Sequence, residues 1–479
     1  MSTYDKLFIG GRWVESTGDG VIEVVNPHDG TPVGRVPHAT TTDVDAAVAA
    51  ARAAFESGPW PRLALEERLA VVERIGALLT GRTPELAALI TRQNGSPIAF
   101  STRAQAGVSA AIYAVTAGIA RGYPFEERRE GMRGPVVVRR EPVGVVAAVV
   151  PWNVPEFAAA LKLAPALAAG CTVVLKPSPE TPLDANLLAE VAVEAGLPAG
   201  VLSVLPADRE VSEYLVGHPG VDKVSFTGSV AAGKRVMEVA AGNLSRITLE
   251  LGGKSAAVLL EDADLDTAIP AIAGASWALN NGQACIALTR VLAPRSRYAE
   301  VAERLSAAAA ELPVGDPMDP STQVGPLVSR RQQERNLDYV RIGQEEGATL
   351  LTGGGVPAGL EGGCYLAPTL FGDVDNSMRI AQEEIFGPVV CLIPYADEDD
   401  AVRIANDSDF GLSGAVFGAD RERALDVARR IRTGTITVNG FATEPTAPFG
   451  GFKSSGIGRE MGADGLSAYL EAKSIVLAG

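Results

Sequence analysis

Histidine and cysteine are scarce in this 479-residue chain, which has three of the first and four of the second. The cysteines, Cys171, Cys285, Cys364 and Cys391, stand far apart, with no C-x-x-C pair and no histidine at ligand spacing. That pattern argues against a structural zinc site and a disulfide framework, and fits a thiol protein of a reducing compartment. His28, His38 and His218 are too few and too scattered for a histidine-based triad to be readily assembled. Basic residues are also short: 42 Lys and Arg against 58 Asp and Glu leave a net charge of -16, which disfavours binding to a phosphate backbone. No long apolar run survives inspection either. The most apolar stretch, Val143 to Leu175, is broken by Pro151, Asn153, Pro155, Glu156, Lys162 and Pro165, so it does not read as a bilayer span. The opening MSTYDKLFIGG lacks the basic and apolar regions of a signal peptide. The expectation is a cytoplasmic protein without metal, membrane or nucleic-acid partner.

What is present is a folded chain, 47% hydrophobic and 21% charged, long enough for roughly three domains of ordinary size. LFIGGRWVES predicts a hairpin about Gly10-Gly11, and VIEVVNP a further strand ending at Pro27. Helical spacing follows over Asp43 to Ser57, with Asp43 as the cap, then over Leu63 to Leu79, Pro84 to Gln93 and Ile98 to Ala120. This first third carries no nameable chemistry. Pro124 to Arg140 is charged and then β-branched, a hairpin or an arm able to pair with another subunit. From Gly144 short apolar strands (VVAAVV, TVVLK, VLSVL, DKVSF) alternate with helices, the pattern of parallel βαβ units. A second mixed segment begins at Ser255, with strands at AAVLL, TRVLAP, VVCLIPY, GAVFG and TITVN and a hinge at Gly252-Gly253.

Five short stretches carry candidate chemistry. In Asn281-Gly282-Gln283-Ala284-Cys285 a lone cysteine follows a glycine turn, either as a presented nucleophile or as a small buried hydrophobe. Phe226-Thr227-Gly228-Ser229 ends a strand where a helix begins, so Ser229 can cap free amides or hold a pyrophosphate; an ordinary strand-to-helix turn has the same look. Lys176 leaves a parallel strand at its carboxyl end, where open α/β sheets bind ligands. The two prolines of Pro151-Trp152-Asn153-Val154-Pro155 fix a turn in which the Asn153 amide serves an oxyanion or only its own turn. Glu250 of Leu249-Glu250-Leu251-Gly252-Gly253-Lys254 becomes a general base if burial raises its pKa.

Together these motifs, with EEIFGPV and PFGGFK after them and FIGGRWV before them, resemble the aldehyde dehydrogenase superfamily along the whole chain. The resemblance implies an α/β fold with a Rossmann-like parallel sheet for the cofactor (residues 1–122 and 142–252), an α/β catalytic domain (253–455) and a small β oligomerisation arm (123–141 and 456–479). It implies Cys285 as nucleophile, Glu250 as general base, Asn153 with the Cys285 N–H as oxyanion hole, and Lys162 near the active site. Pro151, Trp152, Lys176, Ser178, Gly228, Ser229, Gly233 and Leu251 would contact the cofactor, with Glu384 and Phe386 positioning the nicotinamide ribose and ring. The implied reaction takes an aldehyde to a carboxylic acid through a cysteine thiohemiacetal and thioester, with NAD, NADP being the alternative, in a homodimer or homotetramer. Retention of Glu250 argues against the CoA-acylating branch. A cysteine hydrolase without nicotinamide and a non-catalytic scaffold are the alternatives.

Three departures from the family pattern stand out. Pro179 lies where many NAD-specific members carry a glutamate, with Glu180 one place later, which removes repulsion of a 2′-phosphate. The helix before Gly282 is one residue longer than is usual in the family between base and nucleophile, leaving open how Trp277 faces the pocket. Glu156 and Glu444 lie where apolar groups commonly line the tunnel, and are expected as exposed carboxylates at its mouth; Phe157, Trp277, Phe441 and Phe449 are the expected apolar walls.

Overall fold

The computed structural model describes residues 2–477; residues 1 and 478–479, the outer ends of the ranges above, lie outside it. The βαβ rhythm builds an eight-stranded sheet. Its parallel centre is formed by β1 (Val145–Val149), β2 (Thr172–Lys176), β3 (Lys223–Thr227) and β4 (Arg246–Glu250), and its order is Gly456–Ile457, β4, β3, β1, β2, Leu202–Val204, Leu7–Ile9, Arg12–Val14. The central strands are buried on both faces, as their unbroken Val/Leu/Ala runs require. On one face pack α1 (Pro155–Ala169) and α2 (Leu183–Glu194); α3 (Arg209–Val216) and α4 (Val230–Ala241) join the opposite core.

The second segment forms a seven-stranded sheet in the order Thr349–Thr352, Thr369–Gly372, Val389–Tyr395, Leu288–Pro294, Ser255–Leu259, Gly414–Phe417, Thr437–Val438. It is parallel apart from its first pair. β4 ends one sheet at Glu250 and the strand opening at Ser255 begins the other, so the chain crosses between them at Gly252-Gly253. The hairpin Glu126–Gly131 and Gly134–Pro142 pairs with Leu470–Val476 in a separate three-stranded sheet.

Several local expectations are corrected. Asp43 is not the cap of its helix. Thr40 is, with its hydroxyl accepting from the Asp43 N–H while the Asp43 carboxylate accepts from the Thr40 N–H, a capping box in which the acid sits three residues inside. The Ile98 to Ala120 helix is interrupted by π-helical turns at Ser101–Val108 before continuing as Ser109–Gly122. Within those turns buried Gln105 donates to Ser96 Oγ at 2.8 Å. The helix upstream of the cysteine stops at Ala275, where Ser276 Oγ reaches the Ile272 and Leu288 carbonyls.

Candidate active site

The turn before Cys285 is made by backbone that few residues adopt. Asn280, Asn281 and Gly282 all have positive φ, at 53°, 60° and 72°, a region asparagine tolerates and glycine favours. A Cβ on Gly282 would lie 2.3 Å from the Gly387 carbonyl, so only glycine fits. Side chains then lock the turn. Asn281 donates to the Gly95 and Pro326 carbonyls, each at 2.9 Å, and accepts from the Gly325 N–H at 2.6 Å. Asn280 donates to the Asn153 carbonyl at 2.8 Å and accepts from the Ser96 hydroxyl.

Asn153 is buried, and its amide donates to the Gln283 carbonyl at 2.9 Å, two residues before the thiol. Asn94 holds the same loop by donating to the Trp152 and Asn153 carbonyls, both at 3.2 Å. The first third of the chain, read above as without nameable chemistry, therefore contributes Asn94, Ser96 and Gln105 to the framework of the cysteine turn. The sequence signal for them was slight, a polar Gln93-Asn94-Gly95-Ser96 at a helix end.

Cys285 keeps some exposed surface. Burial of the thiol, with the Glu384 and Glu250 carboxylates adding to it, pushes its pKa up to about 12. Glu250 is buried with both carboxylate oxygens lacking a partner among the described residues. Burial first and Glu460 second lift its pKa well above the usual carboxyl range, against the opposing pull of Lys162 and Arg459. Lys162 is fully buried, 2.6 Å from Glu460 and 2.7 Å from Thr227 Oγ1, so Glu460 joins this site although the sequence reading passed over it. Gly450 of the PFGG stretch leaves space for the base, since a Cβ there would stand 2.6 Å from Glu250 Oε1.

Glu384 accepts from the Gly253 N–H at 2.9 Å. Burial pushes its pKa up to about 7 against that amide, Lys254 and Arg335. Phe386 is held at φ 66° with its ring edge-on to Trp152, centroids 5.3 Å apart. Helix α5 (Arg330–Glu345) secures the loop: Gln332 donates to the Phe386 carbonyl at 2.7 Å and Arg335 to the Glu384 carbonyl at 2.7 Å.

At the strand ends, Ser229 caps α4 by accepting from the Ala232 N–H. Gly228 and Gly233 permit close approach: a Cβ would meet the Phe226 ring at 2.6 Å in the first case and Leu251 at 2.5 Å in the second. Lys176 is buried, donates to the Ala207 carbonyl at 3.5 Å, and has its pKa pushed down to about 8 by burial. Ser178 donates to Glu180, whose carboxylate lies 3.5 Å from Arg331. Pro151 and Trp152 are half-buried. A capped helix start, glycines in close contact and a shielded ammonium together fit the pyrophosphate and ribose of a dinucleotide.

Of the expected walls, Phe157 and Phe449 are half-buried against the core beneath α1, and Phe441 against the catalytic core. Trp277 is corrected: it is wholly buried within the catalytic core, its indole N–H donating to the Thr369 carbonyl at 3.0 Å. Glu156 is corrected as well. It is fully buried rather than exposed, since α1 turns it inward toward Tyr113 and Asp184, and burial raises its pKa well above the ordinary value. Glu444 is exposed and accepts from Thr446.

Two largely parallel sheets with a shielded thiol, and a capped helix start, close glycines and a buried lysine at the strand ends of one of them, are the arrangement of an α/β enzyme that takes a dinucleotide. The comparisons with known proteins narrow that class: the profile of the aldehyde dehydrogenase family matches residues 13–475, and the chain belongs to that family. It is 45% identical over 477 residues to geranial dehydrogenase of Castellaniella defragrans, covering 99% of each chain. It is 45% identical over 481 residues to 3-succinoylsemialdehyde-pyridine dehydrogenase of a Pseudomonas species, again covering 99% of each. Among solved structures, the Mycobacterium tuberculosis aldehyde dehydrogenase complexed with NAD+ superposes with a TM-score of 0.97 at 49% identity, covering 99% of this chain and 98% of that one. Aldehyde dehydrogenase C of Pseudomonas syringae, solved with NAD+ and octanal, gives 0.95 at 43% identity, covering 98% and 96%. No helix among the described residues is long and apolar enough to cross a membrane.

Proposed function

We propose that the chain oxidises an aldehyde to a carboxylic acid through Cys285, with Glu250 activating the water. The observation that carries this reading is the tie between the Asn153 amide and the Gln283 carbonyl of the cysteine turn at 2.9 Å, which holds an amide donor two residues from the nucleophile in the chain. Cys285 Sγ, once deprotonated, adds to the aldehyde carbon. The oxygen takes the negative charge and is held by Asn153 Nδ2 and the Cys285 N–H. The bound nicotinamide supplies the two-electron acceptor, and Cys285 is left carrying the acyl group as a thioester. Glu250 takes a proton from water as that water attacks the thioester carbon, releasing the acid and restoring the thiolate. Lys162 and Glu460 set the charge balance beneath the base.

The cofactor is NAD, with NADP also accepted. NAD+ in the neighbouring structures supports the first, and Pro179, with Glu180 drawn toward Ser178 and Arg331, supports the second. Phe157, Phe441 and Phe449 suit an apolar aldehyde, in keeping with the geranial and octanal of the relatives' names. We place the protein in the cytoplasm as a homo-oligomer joined through residues 123–141 and 456–479, with cofactor residues at 1–122 and 142–252 and catalytic residues at 253–455.

The test is a stopped-flow assay of NADH formation. Cys285→Ala is expected to give none, and Glu250→Gln to give one stoichiometric burst followed by a steady rate lowered by about 10²-fold or more. Wild-type turnover in the first variant removes the nucleophile assignment, and unchanged steady-state turnover in the second removes the base.

A further inference from the structure

Ser101–Val108 is wound as π-helix, a form that is rare, is mostly confined to single turns and recurs at functional sites. Gln105 lies within it, wholly buried, with its Oε1 lacking a partner among the described residues. An apolar side chain of the same size would fill that space without the cost of an orphaned amide oxygen. What Gln105 supplies instead is a hydrogen with a fixed direction. Asn280 Nδ2 lies 2.8 Å from the Asn153 carbonyl and 3.2 Å from the Gln283 carbonyl. Both are acceptors, so this side of the Asn280 amide has to be nitrogen. Its Oδ1 then faces the Ser96 hydroxyl, which has to donate. A hydroxyl has one hydrogen, so the group facing Ser96 Oγ from the other side at 2.8 Å must itself donate, and that group is Gln105 Nε2. Turning the Gln105 amide over would give Oε1 a hydrogen from Ser96, but would leave Asn280 Oδ1 against a hydroxyl with none to give. The orphaned oxygen is the consequence of holding Asn280 one way round.

Asn280 held in that sense bridges the loop of Asn153 to the turn of Cys285, and Asn153 Nδ2 closes the circuit by donating to the same Gln283 carbonyl at 2.9 Å. We infer that Gln105 is a positioning residue: through Ser96 and Asn280 it sets where the Asn153 amide stands relative to the cysteine turn, and so the geometry in which charge on the aldehyde oxygen is held. The inference rests on the oxyanion role proposed above for Asn153. Gln105 touches none of the reacting atoms, and its effect is confined to steps that build an oxyanion.

The experiment compares full-length Gln105→Leu, Asn153→Ala and the double variant with wild type. Stopped flow gives the rate of the NADH burst, and iodoacetamide gives the rate of thiol alkylation, a displacement at carbon that builds no oxyanion. Gln105→Leu is expected to slow the burst by roughly tenfold to a hundredfold, the range for a displaced rather than deleted donor. Its NAD+ KM and alkylation rate should stay within about twofold of wild type. The double variant should be no more than about twofold slower than Asn153→Ala alone, because both losses act on one donor. A wild-type burst rate in Gln105→Leu overturns the proposal, as does full additivity in the double variant. An equal fall in alkylation overturns it too, assigning the effect to a disturbed cysteine turn. Each of these results leaves the oxyanion reading intact, whereas a wild-type burst in Asn153→Ala overturns both. Ser96→Ala breaks the same thread one residue nearer Asn280 and is judged by the same criteria where Gln105→Leu does not fold.

Discussion

Cys285 is surrounded by acids, not by the cation that usually activates a thiol. With burial, Glu384 and Glu250 all raising its pKa to about 12, the cofactor-free enzyme holds little thiolate at neutral pH. The sign of each neighbour then gives a prediction. Glu384→Gln removes a negative charge, lowers the thiol pKa and increases thiolate, so inactivation by iodoacetamide at pH 8 without cofactor should be faster by about threefold or more. A rate equal to or below wild type would show that Glu384 does not act on the thiol. Glu250 titrates in the same sense. Its pKa is raised, so it is protonated at pH values where an ordinary carboxyl is ionised, and it becomes a base only as pH rises through the raised value. The hydrolytic step, followed as steady-state turnover after the NADH burst, should therefore climb as pH rises above the ordinary carboxyl range; a flat profile would contradict a buried base. Cys285, Glu250 and Asn153 stand out in the sequence by residue type and motif order. Their environments do not, because Glu460 and Lys162 lie 298 positions apart and meet only through the sheet.

At the scale of elements, the parallel strands were read correctly because burial on both faces writes continuous apolar runs. What failed were features set by partners distant in sequence. Thr40 displaced Asp43 as cap because the capping box depends on reciprocal bonds. Glu156 went inward because α1 is buried nearly all round, so its outer and inner faces cannot be told apart by pattern. The edge strand Thr349–Thr352 was missed since it is short, alternates exposed with half-buried residues and ends in glycines. The cysteine turn is the element most dependent on such partners. Asn281→Ala removes three bonds to buried backbone groups and puts alanine at positive φ, together costing about 2–4 kcal/mol. Urea unfolding should register that loss with kcat falling alongside it; a midpoint within error of wild type would mean that the turn is held by other means.

Across the whole molecule, the separate three-stranded sheet serves neither core. Leu470–Val476 closes it by pairing with Gly134–Pro142, and no strand pairs with its other edge among the described residues. That edge carries Ile475, Val476 and Leu477 at 38%, 60% and 41% exposure. An open strand edge with adjacent apolar side chains is a surface that proteins cover, and with a net charge of -16 opposing close approach between copies, that cover must come from specific packing rather than general attraction. The homo-oligomer proposed above supplies it. Ile475→Glu combined with Val476→Lys should therefore shift the mass measured by light scattering at micromolar concentration to a smaller species. The Cys285 site lies in another part of the chain, between the two large sheets, so the dissociated variant should still give the NADH burst, though with a lower melting temperature. A wild type that is monomeric at that concentration, or a variant of unchanged mass, would show that this edge is covered by something other than a second copy of the chain.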